Sequence, residues 1–236
     1  MVWIEQHLPV GELSRHRHRT AYLAIVLAGR YLEKGDTGRW RLEPGDIVAH
    51  RSFEAHGDVI ARSGSTVINI DLPDDVILPS VFRVVDPDAL IRAARVRSPD
   101  MLALLEPVEA RAPLTLDWPD ALASALRQAP VRLASWAAAM NLAPATVSRG
   151  FRAAFGTTPA RYRADVQAQA ALRLITAGRE PLSQIAYACG FADQAHLTRA
   201  ITGLTGRPPA TWRSRSSDRF PLGRVKSVQD QPAGQS

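Results

Sequence analysis

Apolar and polar positions along this chain change rhythm twice. From Leu13 to about Leu72, short apolar stretches alternate with Gly, Pro and Asp punctuation, the mark of strands joined by turns. Tyr22–Gly29 reads as a buried strand, Gly45–Ala49 opens a second, and Ser65–Asp71 is a third. After Pro73 the text becomes rich in proline. Pro87–Arg95 and Asp100–Glu106 read there as short helices, and Asp117–Arg127 begins with an acid and an early proline, both suited to a helix start. From Leu133 onward the spacing is helical.

The helical part repeats. One copy runs from Leu133 to Tyr162 and the other from Leu182 to Trp212. At an offset of 49, Trp136 meets Ile185, Ala137 meets Ala186 and Leu142 meets Phe191. One extra residue in the second copy moves the offset to 50, and Arg149 then meets Arg199, Phe151 meets Ile201, Gly156 meets Gly206 and Pro159 meets Pro209. Each copy holds the parts of a helix-turn-helix. A short helix carries a small residue (Ala137, Ala186) at the helix crossing, and Asn141 or Gly190 stands where the backbone goes left-handed. An apolar plug, Leu142 or Phe191, leads into a second helix that starts at Pro144 or Asp193 and ends at a glycine.

In such units the second helix enters the major groove by its N-terminal residues. The candidates for base contact are Thr146, Ser148, Arg149 and Arg152 in the first copy, and Gln194, His196, Thr198 and Arg199 in the second. Arginine can bond guanine bidentately and glutamine can bond adenine, so Arg149 and Arg199, equivalent by the repeat, are the foremost readers. Between the copies, residues 158–175 read as one helix whose Val166, Ala170, Ala171, Leu174 and Ile175 share a face and can pack on both units.

Charge sharpens this picture. Of the chain's 236 residues, those between Pro130 and Ser216 hold eleven arginines against three acids, a formal +8, whereas the remainder carries −2. Such a concentration suits a polyanionic partner, double-stranded DNA first. No apolar run approaches the ~20 residues of a membrane span, no secretory leader is read at the N-terminus, and one cysteine, Cys189, allows no internal disulfide. A cytoplasmic protein is expected. Cys189 itself is expected to be a small buried apolar residue rather than a nucleophile.

The second copy carries the most specific text: Ile185-Ala186, then Gly190-Phe191-Ala192-Asp193-Gln194, Leu197-Thr198-Arg199 and Gly206-Arg207-Pro208-Pro209. Leu133–Arg213 thereby resembles the DNA-binding domain of the AraC/XylS family of bacterial transcription regulators. Ile201 stands where the family usually has an aromatic, and Ala145 where members often carry a larger, base-contacting side chain. Many members carry an N-terminal cupin-like barrel that senses a small molecule. Here His16-Arg17-His18 followed by Gly29 resembles the first cupin motif, and Gly38, Pro44-Gly45-Asp46 and His56 resemble the second.

The resemblance implies an α+β chain of two domains: a cupin-like β-barrel sensor (1–82) and an all-α domain of two tandem helix-turn-helix units (131–216). The text between them (83–130) reads as a helical connector and candidate dimerisation region, and 217–236, which holds Gly, Pro, Gln, Ser and Asp with little apolar periodicity, reads as a disordered tail. Metal-binding cupins use two spaced histidines, a glutamate and a later histidine, and the glutamate position is Tyr22 in this chain. No cofactor is therefore expected, although His16, His18 and His56, with His50 as a fourth nitrogen, form a candidate set for a divalent transition metal. Arg17, Arg19, Arg30, Arg39 and Arg41, where turned inward, would favour an anionic effector. Partners implied are DNA through its major groove, RNA polymerase, a small-molecule effector and a second copy meeting at Leu102–Leu105 or Leu122–Leu126.

Rival functions need features the sequence does not supply. A metal-dependent oxygenase fused to a DNA-binding domain lacks its carboxylate at Tyr22. A DNA-repair alkyltransferase needs a free nucleophilic cysteine, yet Cys189 is committed to a helix-turn-helix. A third rival, a non-sensory structural nucleoid protein, would bind without sequence preference and show no effector dependence.

Overall fold

The computed structural model describes residues 3–96, 98–129 and 131–215, so the reading of 217–236 as a disordered tail lies outside the described residues. The chain is a mixed α/β protein with a sheet in its N-terminal part and helices in its C-terminal part. Eight strands form one antiparallel sheet: β1 (Trp3–Leu8), β2 (Gly11–Arg17), β3 (Tyr22–Gly35), β4 (Gly38–Leu42), β5 (Ile47–His50), β6 (Ala55–Asp71), β7 (Val81–Val84) and β8 (Pro107–Ala110). Its path is β1-β6-β3-β5-β7-β8, with β2 also on β6 and β4 also on β3. Among the described residues the sheet does not close on itself, so the expected barrel is an open, strongly folded sheet.

Two long strands fold it. β3 and β6 pair along almost their whole lengths, and their register slips between Val26 and Ala28 and again between Gly29 and Tyr31. Such bulges bend a strand and reset which side chains face inward. Tyr22, Ala24 and Val26 share a core with Tyr31, Trp40 and Ile60, while Leu23 and Ile25 face a second core. That second core is covered by α1 (Pro87–Arg95), capped by the Asp86 carboxylate, and by a 3-10 turn (Pro99–Leu104). Gly57 on β6 has no room for a side chain, because a Cβ there would lie 2.8 Å from the Leu13 carbonyl where β2 bulges over it.

The expected connector is divided between the two halves. Leu105 is buried with α1 against the sheet, whereas Leu122 and Leu126 of α2 (Trp118–Gln128) are buried among the first helices of the C-terminal part. Of the leucines read as dimer contacts, Leu105, Leu122 and Leu126 are buried within the chain, Leu102 is half-buried and Leu104 is 37% exposed.

The C-terminal helices are α3 (Leu133–Ala139), α4 (Pro144–Phe155), α5 (Pro159–Ala177), α6 (Leu182–Ala188), α7 (Gln194–Thr205) and α8 (Pro209–Arg215). α5 is shared. Its Tyr162 joins Val147, Phe151 and Phe155 in one core, and its Ala171, Leu172 and Ile175 join Ile185, Leu197 and Ile201 in another.

α5 also meets the sheet. Asp36, in the β3–β4 turn and 3% exposed, is a hub: its carboxylate accepts from Arg15, the Ala55 backbone N–H and the Gln169 amide, and its carbonyl accepts from the Tyr162 hydroxyl at 2.8 Å. Arg17 pairs with Asp165 at 2.9 Å and donates to the Phe53 carbonyl at 2.8 Å. Phe53 inserts its ring from the 51–54 loop into the core of α6 and α7, edge-on to Trp212 at 5.4 Å. Farther along, Arg39 bridges Asp117 and Asp120 of the α2 start. Arg17 and Arg39 therefore serve the packing of sheet on helices and are not turned toward an effector.

Candidate DNA-reading helices and a histidine pocket

The two helix-turn-helix units have the same backbone chemistry. The Leu142 and Phe191 N–H groups donate to the Ala137 and Ala186 carbonyls, each at 2.9 Å. Asn141 (φ 52°) and Gly190 (φ 75°) hold the left-handed position between the helices, where Asn and Gly bear the least strain. Ala137 and Ala186 are each 1% exposed, which lets the second helix cross closely. Gly156 and Gly206 end α4 and α7 in left-handed caps. The helix starts differ: the Asp193 carboxylate accepts from the His196 N–H at 2.6 Å, whereas Ala143 gives α4 no side-chain cap. Ala143→Ser is therefore expected to raise stability by about 1 kcal/mol, read as a higher urea midpoint at unchanged slope.

On α4 the buried face is Val147, Phe151, Ala154 and Phe155, and on α7 it is Leu197 and Ile201. Opposite them stand Arg149 and Arg199, both exposed and both the sixth residue of their helix. Neither makes an ion pair among the described residues. Arg152, Thr146, Ser148 and Gln194 are also exposed. Two of the expected readers are partly occupied. The Thr198 hydroxyl donates to the Gln194 carbonyl at 2.9 Å, and the His196 ring packs edge-on against Phe191 at 5.2 Å while its Nδ1 accepts from the Ala192 N–H. Ala195, exposed and equivalent to Ala145, was not singled out by sequence; both alanines face outward one turn before the arginines. Cys189, expected to be buried, is half-buried on the second unit, and burial pushes its thiol up.

The sheet gathers the other candidates. His16 and His18 come from β2 and its end, Tyr22 from β3, His50 from β5 and His56 from β6, and all five line one cavity of about 40 Å³. The Nε2 atoms of His16 and His18 lie 2.9 Å apart, the Tyr22 hydroxyl lies 3.1 Å from His56 Nε2, and the His50 ring stacks on Tyr22 at 4.5 Å. Two residues missed by sequence complete the cluster. Asp58 Oδ1 is 3.3 Å from His56 Nδ1. Glu33, 2% exposed, points Oε2 at His50 Nε2 (3.5 Å) and His56 Nδ1 (3.8 Å) without a hydrogen-bond partner.

Burial and mutual repulsion set the charge states. Burial first, then His56, lowers His16 and His50 and brings His18 down to about 3, leaving neutral imidazoles. Burial opposes the charge on His56, yet Asp58 and Glu33 outweigh it and push His56 up to about 9. Glu33 rises to about 8, through burial and the nearby Asp58 and Glu54. With Nδ1 of His56 turned to Asp58, its Nε2 faces Tyr22, the arrangement in which a carboxylate orients an imidazole toward a ligand.

A family model described as a helix-turn-helix domain matches residues 136–215. The uncharacterized HTH-type transcriptional regulator YobQ of Bacillus subtilis (strain 168) is 34% identical over 71 residues, which are 30% of this chain and 30% of that protein. The chain thus spans under one third of the curated relative it matches. Among solved structures, an AraC-type transcriptional regulator from Chromobacterium violaceum is 21% identical over 38% of this chain and 80% of its own, with a TM-score of 0.35. ToxT from Vibrio cholerae strain SCE256, solved with an unsaturated fatty acid bound, is 10% identical over 90% of this chain and 94% of its own, with a TM-score of 0.40.

Proposed function

We propose that this chain, whose residues 136–215 belong to the helix-turn-helix domain family, is a sequence-specific DNA-binding transcription regulator of the AraC/XylS type, with an effector-sensing N-terminal part. The observation that carries the reading is the duplicated unit: two helices with matching turns, matching left-handed glycine caps at their C-terminal ends and one outward arginine at the same position in each. A chance helical bundle has no reason to repeat its readers.

α4 and α7 are the recognition helices. Arg149 and Arg199 bond guanine edges, Gln194 bonds adenine, and Ala145 and Ala195 are suited to the methyl group of thymine. Arg152, Thr146 and Ser148 sit beside them for base or phosphate contact, and His196 and Thr198 order the start of α7. The 19-residue α5 spans about 28 Å at 1.5 Å per residue, close to the roughly 34 Å between successive major grooves on one face of DNA. One monomer therefore reads two adjacent grooves, and RNA polymerase is the machinery that such a bound regulator would recruit or exclude.

The N-terminal sheet, cupin-like in its histidine spacing, is the sensor, and residues 131–216 are the DNA-binding domain. We read the chain as non-enzymatic. Glu33 does supply a carboxylate that Tyr22 does not, but the cavity of about 40 Å³ is small beside the roughly 300 Å³ or more of pockets that bind organic substrates.

Selection of bound genomic fragments followed by footprinting tests the DNA reading. The expected result is an asymmetric protected site covering about two helical turns per monomer. Equal affinity for random DNA at physiological salt would remove the sequence-specific regulator from consideration.

A further inference from the structure

The two helix-turn-helix units repeat one another closely enough for their cores to be matched position by position, and the second core is short of aromatic rings. We propose that Phe53, carried by the sheet, is a removable core residue of the second unit, and that the sheet governs DNA reading by seating or withdrawing this ring, so that α7 loses its order while α4 keeps its own. The consequence for DNA rests on the reading above; the dependence of the unit on the ring does not.

In the first unit, Phe151 and Phe155 are the eighth and twelfth residues of α4; their rings stack at 4.6 Å, and both meet Tyr162 edge-on at 5.4 Å. The core they form with Leu122, Leu126 and Val147 contains no sheet residue among the described residues. The same two positions of α7 hold Ile201 and Thr205, with Trp212 in the place of Tyr162. The match continues into the supporting helices, where Ala171 of α5 takes the place of Leu122 of α2. Phe191 in the place of Leu142 and Leu172 in the place of Ala123 return part of the lost volume, but the Phe191 ring lies at the turn, edge-on to His196 at 5.2 Å. The ring that completes the second core comes from outside the unit. Phe53 lies among Ala171, Ile185, Leu197 and Ile201, 5.4 Å from Trp212 and at 86° to it, nearly the relation of Phe151 to Tyr162 at 5.4 Å and 79°. Edge-on pairs of this kind add to the stability that burial alone supplies.

The seat of the ring is held through its backbone. The Phe53 N–H donates to the His18 carbonyl at 2.9 Å, and the Phe53 carbonyl accepts from Arg17 Nε at 2.8 Å and from Gln169 Nε2 at 3.0 Å. That backbone is left-handed, at φ 66°, a conformation that a bulky residue keeps only where its surroundings impose it. Withdrawal of the ring releases the strain, so the loop that carries Phe53 itself opposes the seating. The counterweight narrows the gap between seated and withdrawn arrangements, and a movement of residues 17–18 that favours one of them shifts the balance. Withdrawal empties a position in the core beneath α7 and leaves every residue of the first core in place. With the ring seated the chain reads two adjacent grooves; with it withdrawn, the groove of Arg149 alone.

The experiment uses the full chain as wild type, Phe53→Ala, Ile201→Phe and the double variant, with amide exchange in the absence of DNA as the first readout. Phe53→Ala is expected to speed exchange in residues 194–204 of α7 by about ten-fold or more relative to residues 144–154 of α4. Ile201→Phe should act in opposite directions in the two backgrounds. With Phe53 present it crowds a filled core and speeds exchange in α7; with Phe53→Ala it returns a ring to the vacated space and brings exchange back to within about three-fold of wild type. On a selected DNA site, Phe53→Ala should shorten the protected footprint from about two helical turns to one and lower affinity by about ten-fold or more, and the double variant should recover both. Equal acceleration in α4 and α7, unchanged exchange in α7, harm from Ile201→Phe in both backgrounds, or a full-length footprint in Phe53→Ala overturns the proposal. If Phe53→Ala does not fold, Phe53→Leu, which keeps an apolar side chain, decides by the same comparison of α7 with α4. Failure of the DNA reading shows separately, as equal affinity of every variant for selected and scrambled duplexes; exchange and its rescue without DNA then still decide whether α7 depends on the ring.

Discussion

Replacing Arg149 and Arg199 together by alanine is expected to reduce affinity for the selected DNA site by roughly 30-fold to 10⁴-fold, while leaving the fold intact. Each bidentate arginine–guanine pair contributes about 1–3 kcal/mol of discrimination. The two side chains stand on separate helices and share no partner, so their losses should add. Stability is spared because both are exposed, outside the cores of Phe151 and Ile201. Fluorescence anisotropy with the selected site and a scrambled duplex separates reading from charge. Each single variant should relax preference at one base position, the two positions lying about one helical turn apart. Equal loss on both duplexes, with a reduced salt slope, would assign the arginines to phosphate contact instead.

The helix-turn-helix units were legible in the sequence because the residues that mark their turns, crossings and ends act locally. Ala137, Asn141 and Gly156, with their equivalents Ala186, Gly190 and Gly206, act within a few residues of their own helix, and the repeat checks each against the other. The sheet was legible only in pieces. Tyr22–Gly29 and Ser65–Asp71 are correctly strand, but they belong to β3 (Tyr22–Gly35) and β6 (Ala55–Asp71), whose other halves carry Arg30, Glu33, Lys34 and Arg62 and do not read as buried. Their polar text has a purpose. The slips near Ala28 reverse the inward phase of β3, so even-numbered Tyr22 and Ala24 share the interior with odd-numbered Tyr31 and Glu33. Strict alternation counted from Tyr22 puts Glu33 on the wrong face, which is why a carboxylate sought at position 22 escaped notice at 33. The same limit hid Asp36: its role depends on Gln169 and Tyr162, more than 120 residues away.

Phe53 offers a sharper test of how sheet and helices are joined, because two forces act there in opposite directions. Its ring is 4% exposed within the core of α6 and α7, yet its backbone sits at φ 66°, a left-handed conformation rare for a bulky residue. Truncating a buried phenylalanine costs about 3–5 kcal/mol, so Phe53→Ala is expected to lower stability by that amount. Phe53→Gly loses the same ring but releases the left-handed strain, worth about 1–2 kcal/mol for a residue with a Cβ, against about 0.5–1 kcal/mol of added chain entropy in the unfolded state. The release outweighs the entropy, and the glycine variant should be the more stable of the two by up to about 1.5 kcal/mol. Urea unfolding followed by far-ultraviolet circular dichroism gives the order directly. An alanine variant as stable as the glycine one would mean that the 51–54 loop leaves its left-handed turn once the ring is gone, and that the ring, not the Arg17 and Gln169 bonds to the Phe53 carbonyl, holds it there. The predicted order requires those bonds to keep the loop in place without its side chain.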